Sequence, residues 1–418
     1  MPKPIPHLRW YIAVLLCLAS ELNYLDRQVL SVLAQTIQDE LKITTMEYSR
    51  ITSAFLISYT VMYAVSGRLV DYLGTRRSFS IFLTGWSVVN MLNAFARTAN
   101  HFAFFRFLLG VAEPANFPAG VRAVSEWFPM RERALAVGIF NAGTAIGAAL
   151  AAPLVSFIAL NWGWRAAFVF TGALGFVWVI VWLLFYRLPQ DHPRLSEAER
   201  SLILGERPAN QSTAQVPLRK LLSMRETWGC IAARFLTDPI SYFLAFWIPK
   251  YLQQERGFSL AEVGKYAWIP FAAQALGNFF AGGMPRYLIS RGWPLNRARK
   301  TTMFVVSCLM PFCYLAVTRV DGAAWALAIV SLCTFGHAAW GNIILPAEVF
   351  PQRAVGTVSG MGGCLGGVAG IISQLTIGWV VQHLSFAPIF AACSMIYLIA
   401  FGLVHWLIGE LGVIREVD

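Results

Sequence analysis

Apolar runs long enough to cross a bilayer recur along nearly the whole of this 418-residue chain, and such a chain is limited to helices or a closed barrel. The runs are ~20 to 25 residues long, which suits membrane-spanning helices rather than barrel strands. Hydrophobic residues make up 57% of the chain and charged ones 13%, about half the usual soluble share, and mean hydropathy is +0.57. The expected fold class is therefore an all-α membrane protein with twelve transmembrane helices in two six-helix bundles. Spans are expected near 9–33, 48–70, 78–97, 100–122, 134–159 and 165–187, then 227–252, 261–288, 300–318, 323–346, 354–381 and 386–410. They divide the chain into an N-terminal bundle over 1–187, a polar linker over 188–226 and a C-terminal bundle over 227–418.

The net charge of +11 lies at the ends of apolar runs, not on one basic face, so it reads as a topology signal and not as a nucleic-acid surface. Arg76, Arg77, Arg131, Arg133, the linker, Arg286, Arg291, Arg297, Arg299, Lys300 and Arg353 all fall on one side. The opposite loops carry few and mixed charges, such as Asp39, Glu40 and Lys42. This bias predicts that both termini are cytoplasmic. The seven cysteines have no metal or redox spacing, and no nucleophile, metal cluster or phosphate loop indicates enzyme chemistry. The opening MPKPIPHLRW runs into a long apolar stretch containing Asp26 and Arg27, with no cleavage site of small residues, so the first span reads as a retained helix.

An internal repeat supports the division. Glu126-Trp-Phe-Pro-Met-Arg131 is echoed by Glu348-Val-Phe-Pro-Gln-Arg353 at an offset of 222 residues (348 − 126), and Gly138 aligns with Gly360 at the same offset. Upstream of the first copy, Arg106 and Glu113 sit inside a span. An ionisable side chain there costs about 2.5–3.5 kcal/mol on insertion scales, so each is expected to face a partner or a watery cavity. Seven residues apart on a helix, they are expected on one face.

Gly67-Arg-Leu-Val-Asp71-Tyr-Leu-Gly74-Thr-Arg76-Arg77, between the second and third spans, resembles the loop signature of the major facilitator superfamily. Tyr24-Leu-Asp26-Arg27, Arg106-x-x-x-Gly110 with Glu113, and the two E-x-F-P-x-R motifs resemble its anion:cation symporter branch. NWGWRAAF at 161–168, ARFLTDPISYFLAFWIPKYL at 233–252 and GFSLAEVGKYAWIPF at 257–271 resemble bacterial hexuronate transporters. The resemblance implies a proton-coupled importer of a sugar acid such as galacturonate or glucuronate, monomeric and in the bacterial inner membrane. Its partners would be the sugar acid, protons and the lipid bilayer, with no nucleic acid and no cofactor beyond the coupling proton. Exchange of an aldonate, aldarate or aromatic acid is the alternative, and a transporter-like sensor a further one. One departure is Arg286, where related transporters often carry an acid.

A sugar acid needs a fixed positive group, hydroxyl or amide partners and an aromatic wall. Arg27 is the expected carboxylate anchor, the alternative being a structural network in which it only neutralises Asp26 or Glu113. Those two acids are the expected proton carriers, since a desolvated carboxyl can titrate near neutrality. Arg106, Tyr59, Tyr63, Tyr242, Asn342 and Gln374 are further candidates for substrate contact, each against the plainer reading of helix packing. Arg234 and Asp238, four residues apart, read as a self-neutralising pair. Asp71, Arg76, Arg77, Glu126, Arg131, Glu348 and Arg353 are expected to form an inner-face gate, or else to be topology anchors.

Overall fold

The computed structural model describes residues 4–205 and 216–412, apart from the side chains of Met130, Arg131, Ala134, Gln352 and Arg353. The gate candidates Arg131 and Arg353 thus lie outside the described side chains. The first six helical rods are α1 (Leu8–Val32), α2 (Thr45–Leu73), α3 (Thr75–Leu92), α4 (Ala99–Ala112 and Asn116–Trp127, joined by a 3-10 turn), α5 (Met130–Trp162) and α6 (Trp164–Phe185). The last six are α7 (Arg225–Gln254), α8 (Trp268–Ser290), α9 (Leu295–Val317), α10 (Ala323–Ala339, continuing through Asn342–Ile344 and Leu345–Val349), α11 (Gln352–His383) and α12 (Ala387–Ile408). Short connections make successive rods run in opposite directions. The start of α1 and the end of α12 therefore lie at one end of the molecule, called here the terminal end, opposite the distal end.

Nine of the described helices are long and apolar enough to cross a membrane. Two of the remaining rods fall short for visible reasons: α3 opens on Arg76 and Arg77, and α4 is interrupted at Glu113. Pro114 offers no N–H, so the helix tightens into a 3-10 turn over Glu113–Ala115 before continuing. The α10 rod breaks at Gly341, whose φ of 69° suits a residue without Cβ.

The repeat is visible in backbone geometry. Pro129 precedes α5 at φ −61°, ψ 155°, and Pro351 precedes α11 at φ −62°, ψ 152°. Proline fixes φ and cannot extend the preceding helix, so each E-x-F-P motif ends one rod and starts the next. In the first half α1 packs on α5, α2 on α4 and α3 on α6; in the second, α7 packs on α11, α8 on α10 and α9 on α12. The halves meet where α2 lies against α11 and α5 against α8.

Prolines inside helices supply some of the joints. Pro249 in α7 leaves the Ala245 carbonyl without its usual helical donor, and Ser31 Oγ of α1 donates to it at 2.8 Å. Pro285 does the same to Ala281 in α8, and Arg299 Nη1 takes that carbonyl. Hydrogen bonds between the halves gather at the distal end: Tyr48 Oη donates to Phe246 O at 2.7 Å and Met46 N to Gln382 Oε1 at 2.7 Å. At the terminal end the linker helix Glu197–Gly205 caps α1, since the Glu199 carboxylate accepts from Leu8 N at 3.0 Å and Arg9 N at 3.1 Å.

Candidate functional site

The first half buries four charged side chains carried by α1 and α4: Asp26 is 0% exposed, Glu113 1%, Arg106 3% and Arg27 8%. Arg27 and Glu113 form an ion pair. Arg27 Nε and Nη2 both donate to the same carboxylate oxygen, Oε2, at 2.9 and 2.7 Å. Glu113 Oε1 has no partner, and Arg27 Nη2 also donates to Asn23 Oδ1 at 3.4 Å. The guanidinium is sheathed by aromatic rings, lying 4.7 Å from the centre of Tyr24, 4.8 Å from Tyr59 and 5.2 Å from Phe55. Such contacts hold a cation's plane without neutralising its charge.

Asp26 follows a different course, because adjacent residues on a helix point about 100° apart. Its Oδ1 accepts from Asn90 Nδ2 of α3 at 2.7 Å, and that amide also donates to Thr171 Oγ1 of α6 at 2.8 Å. Asp26 Oδ2 and Asn90 Oδ1 are both buried without a donor. Asp26 therefore sits in the core of the first bundle, with no arginine in salt-bridge contact among the described residues.

Arg106 pairs with neither acid. Its Nη1 donates to the Arg27 carbonyl at 3.2 Å, while Nε and Nη2 are buried and unpartnered. The side chain borders a cavity of about 10 Å³, room for roughly one water, shared with Arg27, Ser31, Tyr48, Thr52 and, from the second half, Phe246. Regular helix runs as far as Glu113, whose N–H bonds to Leu109 O and whose φ and ψ are −65° and −38°, so Arg106 and Glu113 keep one face of α4 although Arg106 turns to the Arg27 carbonyl.

In the second half Arg234 Nε and Nη2 donate to Asp238 Oδ2 at 2.9 and 2.8 Å, and Arg234 Nη1 donates to Ser359 O at 3.2 Å. Asn342 Nδ2 donates to Asp238 Oδ1 at 3.1 Å and to Thr237 Oγ1 at 2.7 Å. The glycine-rich face of α11 covers this cluster: a Cβ at Gly366 would collide with the Asp238 carboxylate and one at Gly370 with the Tyr242 ring. Tyr59 and Tyr63 stack at 6.1 Å on α2, and Tyr242 stacks on Phe246 at 6.2 Å on α7. Phe55 and Phe246 meet edge to face at 6.1 Å and close the aromatic strip across the halves. Gln374 lies distal to this strip, its Oε1 accepting from Trp247 Nε1 at 2.7 Å and Thr52 Oγ1 at 3.0 Å.

The gate candidates form separate groups in the two halves. Arg122 Nη1 donates to Asp71 Oδ1 at 3.1 Å and its Nε to Glu126 Oε1 at 3.0 Å, while Arg76 Nη2 caps α6 at Leu183 O, 2.6 Å away. Arg77 is exposed. Glu348 is held by Arg299 of α9. Sequence reasoning singled out neither Arg122 nor Asn90, and it treated Arg299 only as a topology charge. Arg299 stands 222 residues after Arg77, so the repeat offset was the available signal; Asn90 and Thr171 had none, being ordinary polar residues in apolar helices.

Two repeats of six helices, with buried charges beside the seam between them, define a multi-pass membrane protein of the kind that moves polar solutes. The Major Facilitator Superfamily model matches residues 16–374, and the chain belongs to that family. It is 35% identical to the hexuronate transporter of Escherichia coli (strain K12) over 417 residues, 97% of this chain and 94% of the relative. Identity is 38% with the galacturonate transporter of Dickeya chrysanthemi over 284 residues, 67% of this chain and 82% of the relative. A probable galactarate/D-glucarate transporter of Escherichia coli (strain K12) is 31% identical, covering 93% of this chain and 92% of the relative. Among solved structures, a bacterial homolog of the human lysosomal transporter Spinster superposes with a TM-score of 0.73 at 16% identity, over 96% of this chain and 94% of that one.

Proposed function

We propose that this protein imports a hexuronate such as galacturonate or glucuronate together with protons, by alternating access, across the bacterial inner membrane with both termini in the cytoplasm. The observation that carries the reading is the Arg27–Glu113 pair: a guanidinium that spends two donors on one oxygen, beside a carboxylate with its other oxygen unpartnered. Protonation of Glu113 weakens its hold, and a substrate carboxylate then takes Nε and Nη2 in a two-oxygen fork. Charge stays balanced inside the membrane at each stage. Tyr59, Tyr63 and Tyr242 supply an aromatic and hydroxyl wall, and Arg106 a second cationic group.

Asp26 serves as a second proton carrier. Its Oδ2 and Asn90 Oδ1 are two buried acceptors with no donor, and one proton on Asp26 supplies it. The similarity to galactarate and glucarate transporters supports a second reading, in which the substrate is an aldarate. Uptake of labelled galacturonate into vesicles decides the matter. Accumulation that follows an inward pH gradient and collapses with an uncoupler is expected; stimulation only by preloaded anion would establish exchange instead. Competition by galactarate stronger than that by glucuronate would favour the aldarate.

A further inference from the structure

The distal seal contains a cation whose hydrogen-bond partners are all neutral. Lys250, on α7, is 1% exposed; its Nζ donates to Gln38 Oε1 and to Thr45 Oγ1, the latter at 2.9 Å. The ammonium also lies 5.4 Å from the Tyr48 ring and 5.7 Å from that of Trp247. No carboxylate comes within 4 Å of it among the described residues. The acid adjacent to Gln38, Asp39, is engaged by Gln35 Nε2 at 2.9 Å. A buried ammonium with no carboxylate in contact, Asp39 acting on it only from a distance, is an expensive way to close a helix interface, where an apolar side chain would pack at no such cost.

Lys250 belongs to the second half, and Gln38 and Thr45 to the first. Alternating access requires the halves to part at this end, which strips the ammonium of both acceptors at once. It then faces the distal mouth. Tyr48, one of the rings beneath it, also borders the small cavity shared by Arg27 and Arg106, so the three cations line one route from the mouth inward. Along that route Gln374 Nε2 is buried with no acceptor, beside Trp247.

We propose that Lys250 is a specificity-determining residue that receives the carboxylate of an incoming anion at the open distal mouth and delivers it toward Arg27. Gln38 and Thr45 hold its place when the mouth is shut. Their neutrality is essential, because a carboxylate there would compete with the substrate for the ammonium. The inference rests on the substrate being an anion, as the reading above has it.

The test measures uptake from the distal face over a range of concentrations for a sugar acid, a simple organic anion and a neutral sugar. Lys250→Met raises the half-saturating anion concentration at least about fivefold, and Lys250→Arg restores it in large part. The double variant Gln38→Leu/Thr45→Val breaks the same hydrogen bonds but keeps the charge, and its half-saturation stays near that of the natural protein. An unchanged value in Lys250→Met, or an equal rise in the double variant, makes Lys250 part of the seal only and overturns this inference alone. Transport of the neutral sugar alone by the natural protein overturns the anion reading as well.

Discussion

The two halves each bury an arginine–carboxylate pair, and the pairs are built on opposite principles. Arg234 and Asp238 belong to one helix, four residues apart, and both carboxylate oxygens are engaged, one by arginine and the other by Asn342. Arg27 and Glu113 come from different helices. Between them and their neighbours Arg106 and Asp26 they leave two carboxylate oxygens and most of the Arg106 guanidinium without partners. A buried polar group left unpaired costs about 1–3 kcal/mol, so the first cluster is held in a state that a proton or an anion would relieve. The second cluster is already satisfied; it braces α7 against α11 and α10.

This contrast can be broken by mutation. The largest effect is expected for Arg27→Met, which removes the proposed anchor and strands Glu113. Sugar-acid uptake falls about 100-fold at matched protein levels, whereas Arg234→Met costs less than about tenfold. Equal losses in the two variants would erase the distinction. Next, Glu113→Gln brings pH-driven accumulation down to the level of an uncoupled control while exchange of preloaded anion continues. If accumulation survives, Asp26 alone carries the proton.

Stability should rank the other way. Arg234→Met leaves a buried carboxylate without its cation and lowers stability by about 3–5 kcal/mol, and the added change Asp238→Leu recovers most of it. Thermal unfolding in detergent measures both; a single variant as stable as the natural protein would show that the pair is solvated. The smallest effect belongs to Asn342→Ala, which removes one donor from Asp238 at a cost of about 1.5–3 kcal/mol. Its sugar-acid affinity should be unchanged, and a large rise in half-saturation would move Asn342 from bracing to substrate contact.

Much of this was legible in the chain. Charges that interrupt apolar runs announced Arg27, Glu113, Arg234 and Asp238, and an i,i+4 spacing correctly paired the last two, because both lie on one continuous helix. The same local logic put Arg106 and Glu113 on one face, and the helix is regular as far as Glu113, but it could not say that Arg27 takes Glu113 while Arg106 turns to the Arg27 carbonyl. Lys250 stands near the end of a span, and nothing local says that Gln38 and Thr45 of the other half cover it. The gate charges looked like one network because they share a face of the membrane; packing assigns Asp71 and Glu126 to Arg122, and Glu348 to Arg299.

The sequence by itself determined that the chain crosses a membrane as helices, that it does so as two related halves, and which charged residues must be accounted for. Those conclusions rest on hydropathy, proline and the cost of a buried charge, all of which act within one helix or between a helix and lipid. Only the tertiary structure decided which charges meet, which are satisfied and which are left wanting. A hydrogen bond between helices depends on the rotation and depth of both rods, and a single sequence encodes that only through the packing of every residue between them.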